Sequence, residues 1–104
     1  MKKITILAAS AFVTGRKWKR SNTEVDVVGD MSHLYLFGNL IAIKNLKTGK
    51  VSVSNAGWKT NTTRERLNGI PGVNVTQKNF QWYLNGEPWN GEWKGIDYGK
   101  STNI

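Results

Sequence analysis

Four cations crowd one tryptophan in the run "GRKWKRSN", where Arg16, Lys17, Lys19 and Arg20 surround Trp18. In an extended chain these five residues cover about 15 Å. Positive charge at that density sets up a field that a polyphosphate backbone neutralises. An indole among the cations can stack on an unpaired base or take cation–π contacts. The same run has a plainer reading, in which Trp18 plugs the core and the charges stay in water. A second cationic segment, "GWKTNTTRERLN", carries Trp58, Lys59, Arg64 and Arg66. Arg64 and Arg66 stand two apart, so on a helix they flank opposite sides of a buried stripe and cannot form one phosphate fork. The candidate nucleic-acid contacts are therefore Arg16, Lys17, Trp18, Lys19, Arg20, Trp58, Lys59, Arg64 and Arg66.

Other chemistry is thinly represented. The single histidine, His33, has no nucleophile or carboxylate at a spacing that names a catalytic pair. Cysteine is absent, which excludes disulfides and thiolate metal sites, and no metal-ligand cluster is visible. None of the glycine turns has a phosphate-cradling pattern. The chain is expected not to be an enzyme and to need neither metal nor cofactor. Trp82, Trp89 and Trp93 read as core and hairpin packing, a reading open to Trp58 as well.

Fifteen Lys+Arg against seven Asp+Glu give a formal charge of +8 on 104 residues. That balance attracts phosphate backbones, anionic surfaces or acidic proteins. The length fits one domain, residues 1–104, with the tail from about residue 97 expected to fray. The start, "MKKITILAASAFVTG", has the outline of a secretory signal, but "RKWKR" directly after a cleavage site is an awkward setting for export. Its ten-residue apolar run is far short of the roughly twenty a membrane span needs. Ile4, Leu7, Ala8, Ala11 and Phe12 instead share one helical face, with Gly15 at the exit. Ile6, Ala9 and Val13 project the other way, so the helix must be covered on two sides, by its own chain or by a second copy.

These sites need elements to position them. "TEVDVV", "HLYLF", "NLIAIK" and "VSVSN" read as strands of a meander, turned at Gly38-Asn39 and "LKTGK". Thr62 and Glu65 have capping-box spacing for a short helix, with Asn68-Gly69 as a left-handed exit and Pro71 beyond it. Thr62 would then satisfy one of the free N–H groups that could otherwise favour an anion there. "VNVTQ" and "FQWYL" follow, joined by Lys78-Asn79. Asn85-Gly86 is the strongest hairpin signal, and Pro88 limits the next strand to an edge. The expected fold is α+β: an N-terminal helix, an antiparallel three-stranded meander, a short capped helix and a C-terminal β-hairpin sheet.

Taken together, the residues carry a resemblance. Gly57, Trp58, Thr60, Thr62, Thr63, Arg66, Leu67 and Asn68, followed by Gln77, Lys78 and Trp82 to Gly86, resemble a motif of small bacteriophage-encoded proteins. The similarity runs from Ala8 to Trp93. It implies a phage genome and action in the host bacterial cytoplasm, and it implies no reaction. Where that group often has histidine before Gly-Asn, this chain has Phe37. Three functions follow as expectations. The first is a nucleic-acid-binding accessory protein. The second is a host-takeover or anti-defence protein that binds an acidic bacterial protein. The third is a homo-oligomeric assembly protein joined through the N-terminal helix.

Overall fold

The computed structural model describes residues 1–98. Helix α1 (Lys3–Thr14) starts without a side-chain cap and carries the β-branched residues Ile4, Thr5 and Ile6, so local propensity is a poor account of it. Burial decides the matter. Thr5, Ala8, Ala9, Ala11 and Phe12 are buried, and α1 packs across β2 and β3. Burying Phe12 alone contributes about 2 kcal/mol. Gly15 ends the helix at φ +76, a conformation costly for any residue with a Cβ. The Lys44 ammonium donates to the Val13 carbonyl at 2.9 Å, placing a cation at the negative end of the helix.

The sheet is larger than the meander expected from the sequence. Strands β1 (Trp18–Arg20), β2 (Thr23–Val28), β3 (Met31–Leu36), β4 (Asn39–Asn45), β5 (Val51–Val53) and β9 (Lys94–Gly95) form one antiparallel sheet in the order β1-β2-β3-β4-β5-β9. Two of these strands escaped the sequence reading. The basic run supplies edge strand β1, and a two-residue piece near the C-terminus returns to close the far edge at β5. Trp18, Val25, Leu34, Ala42 and Val53 line up across the covered face. A bulge opposite Leu34 and Tyr35 turns both Ile41 and Ala42 inward.

The second layer holds α2 (Asn61–Leu67) and a three-stranded sheet of β6 (Val75–Lys78), β7 (Gln81–Leu84) and β8 (Glu87–Pro88). Thr63 and Leu67 point into the core as their four-residue spacing requires. The cap is Thr60, not Thr62: the Thr60 hydroxyl accepts from the Thr63 N–H at 3.2 Å. Glu65 is therefore free of any capping box and accepts from the Thr5 hydroxyl on α1. The helix leaves through Asn68 at φ −68, so the exit is not left-handed. The Asn68 side chain instead accepts from the Val75 N–H and donates to the Val75 carbonyl, pairing with β6 as a strand would.

Gly69 meets α1 so closely that a Cβ there would lie 2.6 Å from the Thr5 methyl and 3.3 Å from Ala9. The second apolar side of α1 is thus covered in part by its own chain, with Ile6 left exposed. At the C-terminal end Tyr98 docks, its hydroxyl donating to the Pro71 carbonyl at 2.8 Å. Of the tail expected to fray from about residue 97, residues 99–104 lie outside the described residues.

Candidate nucleic-acid interface

The sequence singled out the basic run, and the structure divides it. Trp18 is half-buried and packs against the core, because its position on β1 faces α1 alongside Val25. So placed, Trp18 is a packing residue and not an open stacking platform. Arg16 turns back to α1, donating to Thr14 and Ser10 hydroxyls at 3.2 and 3.1 Å. Lys17 lies 3.8 Å from Asp26, and Lys19 stands opposite Glu24 across the strand pair. Lys19 and Arg20 remain exposed. Arg20 occupies the far end of β1, where the chain turns through Ser21-Asn22 into β2.

That turn belongs to a different neighbourhood. The Phe37 N–H donates to the Asn22 carbonyl at 2.8 Å, which ties the β3–β4 turn to the β1–β2 turn. The Asn22 side chain accepts from the Thr23 hydroxyl at 2.7 Å and from Arg66 Nη2 at 3.4 Å. Arg66 is only 5% exposed. Its Nε donates to Thr23 at 2.9 Å, and its Nη1 donates to Thr5 at 2.9 Å and to Glu65 at 3.3 Å. A buried guanidinium with this many acceptors is a structural tie between α1, α2 and β2. Arg66 is therefore unavailable to a phosphate, which removes it from the contacts expected from sequence. Arg64 is half-buried, donates to Asn61, and lies 6.0 Å from the Trp82 ring.

Around this end of the sheet the structure assembles a cleft of about 350 Å³. Leu36 and Ile41 supply an apolar floor, Asn39, Asn55, Thr60 and Thr63 line its walls, and Phe37 and Trp58 stand at its margin. Both aromatics are held outward by unusual backbone. Phe37 is 69% exposed and begins its turn at φ +51, a region a bulky residue rarely enters. Trp58 is 57% exposed and follows a turn in which Ala56 has φ +54. Asn55 holds that turn: its side-chain oxygen accepts from the Gly57 N–H and its carbonyl from the Trp58 N–H, both at 2.8 Å. Lys59, exposed, lies between Trp58 and the Thr60 cap.

Residues 1–103 match the family model described as Kyanoviridae Gp96 protein. The chain belongs to that family of phage proteins. No curated protein and no solved structure matches it. Among the described residues, no helix is long and apolar enough to cross a membrane, and no group of three or more His, Asp or Glu side chains could hold a metal ion.

Of the nine contacts expected from sequence, one, Trp58, lines this cleft; Lys59 follows it in the chain, Arg64 turns to Asn61 and the Trp82 ring, and Arg20 stands on edge strand β1. Arg16 and Lys17 lie at the other end of β1, roughly 10 Å away along the strand. Sequence reasoning missed Phe37 and Asn55. Their signals were present: an aromatic directly before glycine in a hairpin turn, and an Asn two residues before a glycine, which is the spacing of an Asx turn.

Proposed function

We propose that this protein is a phage accessory protein that binds nucleic acid at the Phe37–Trp58 end of the sheet. The observation that carries the reading is the pairing of two exposed aromatics with an apolar cleft, with the exposed Lys59 next to Trp58, on a chain of charge +8. Exposed aromatic surface beside positive charge suits a ligand with both π faces and phosphates. Arg20 and Lys59 serve as phosphate contacts, with Arg64 extending the patch along α2. Lys19 and Lys17 extend it weakly, since Glu24 and Asp26 offset them. The host bacterial cytoplasm is the proposed place of action.

Fluorescence anisotropy with a labelled oligonucleotide tests this. Affinity should fall by orders of magnitude between low and moderate salt, with a slope set by the number of phosphates contacted. Arg20→Ala and Lys59→Ala should each weaken binding and lower that slope by about one. Undetectable binding at low salt ends the proposal. In that case a partner that survives nuclease treatment in a pull-down would support the host-protein reading instead.

A further inference from the structure

We infer that the cleft between Phe37 and Trp58 is a pocket for one unpaired base, so the ligand is single-stranded and bases carrying a ring carbonyl are preferred. This rests on the nucleic-acid reading above and narrows it. Base edges and faces inside a duplex are stacked and paired, and a cleft of about 350 Å³ with an apolar floor cannot engage them without extrusion. Phosphate binding alone requires only cations on a surface. It gives no reason to hold Phe37 in a left-handed turn with two-thirds of its surface in water, or to turn Trp58 out through a left-handed Ala56. A left-handed turn alone is no sign of a ligand, since Phe80 sits in one with no cleft beside it; what sets Phe37 and Trp58 apart is that both border the same cleft.

The preference comes from Asn55. This residue is 1% exposed and lines the cleft, with Gly91 packed against its amide. Its oxygen is committed to the Gly57 N–H, while its Nδ2 is buried with no hydrogen-bond partner. A buried amide that lacks a partner is costly, and native proteins rarely keep one without a reason. The open capacity is a donor, so the complementary group is an acceptor, such as the exocyclic carbonyl that thymine, uracil, guanine and cytosine carry; adenine has no carbonyl and offers only ring nitrogens. Phe37 and Trp58 supply stacking surface for whichever base enters, and Asn55 discriminates among them.

The test compares oligothymidine, oligoadenosine of the DNA series and their duplex, each about thirty nucleotides long so that the duplex stays paired, at one salt concentration. Wild type should bind the single strands at least about tenfold more tightly than the duplex, and oligothymidine more tightly than oligoadenosine. Trp58→Ala and Phe37→Ala should each lose about tenfold on single strands while leaving the weak duplex binding unchanged. Asn55→Asp keeps the Gly57 contact but removes the donor, and should erase the thymidine preference more than it weakens binding to oligoadenosine. Both aromatics are exposed, so Trp58→Ala and Phe37→Ala leave the core intact; Asn55→Asp puts a carboxyl at a buried position, and circular dichroism must show a wild-type fold before its binding is read. Equal binding of strand and duplex, insensitive to Trp58→Ala yet weakened by Lys59→Ala, would overturn the base pocket and leave the phosphate reading standing. Absence of binding to all three would overturn both.

Discussion

Arg66 on α2 donates from Nε to the Thr23 hydroxyl on β2 at 2.9 Å, across forty-three residues of chain. The bond is buried, and it belongs to a closed set. Thr5 accepts from Arg66 and donates to Glu65, while Thr23 passes its own proton to Asn22. Asn22 in turn receives the Phe37 N–H. A charge hidden in the second layer thus fixes the turn against which the exposed Phe37 is braced.

Removing that guanidinium takes the ion-pair partner from Glu65 and a donor from each of two buried hydroxyls, which keep only their own bonds to Glu65 and Asn22. Arg66→Met is expected to cost about 3–5 kcal/mol, the range for breaking a buried ion pair from one side. Arg66→Lys should recover little of it, because an ammonium cannot reach acceptors in the planar spread that the guanidinium serves. Urea denaturation measures both. A loss below about 1 kcal/mol for Arg66→Met would show that the network is incidental.

Phe80 offers the opposite sign. It sits at φ +68 beside Asn79 at φ +53, in the two-residue turn between Lys78 and Gln81, and is 93% exposed. Asn-Gly is the preferred pair for such a turn. Phe80→Gly should therefore stabilise the protein by about 1 kcal/mol, seen as a rise in thermal midpoint. A fall would mean that the ring contributes to folding despite its exposure.

Gly69 is needed for lack of bulk and not for its backbone. Gly69→Ala drives a methyl to 2.6 Å from the Thr5 side chain and 3.2 Å from the Thr5 carbonyl, separating α1 from α2. The expected loss is about 1–3 kcal/mol. Gly95→Ala, whose nearest neighbour would be the Ser52 hydroxyl at 3.9 Å, is the control and should change little. Comparable losses for the two would contradict the close approach.

Tyr98 gives a pH dependence. Burial pushes its phenol above the ordinary tyrosine range, and its hydroxyl donates a hydrogen bond to the Pro71 carbonyl. The neutral form is thus favoured in the fold, so its contribution is complete below the ordinary tyrosine range. It is lost as pH rises through the higher folded value. An absorbance titration of wild type minus Tyr98→Phe isolates this group. Ionisation at or below the ordinary tyrosine value would show that the residue is not docked.

What the sequence disclosed was local. The glycine stop of α1, the Asn85-Gly86 turn and the Val51/Val53 alternation each depend on neighbours within a few positions, and each is where it was expected. Thr63 above Leu67 followed from helical spacing alone. The failures involve distant partners. Nothing near Arg66 announces Thr5 and Thr23, so its charge read as a surface charge. Three threonines compete to cap α2, and the choice of Thr60 depends on how the Asn55–Trp58 turn delivers the chain. Strand β9 pairs with β5 over forty residues, beyond any local pattern. The cleft draws on β3, β4, the Asn55 turn and α2, so no single stretch could display it. Of its lining residues, Trp58 drew notice in the sequence only because it stands beside Lys59 in a cationic segment.

Backbone amide shifts on titration with short oligothymidine, read by heteronuclear NMR, locate the bound base. The largest changes should fall on Phe37, Asn55, Trp58 and Thr63, with smaller ones at Arg20 and Lys59. Changes centred on Arg16 to Lys19, with the cleft residues unmoved, would contradict a base in the cleft.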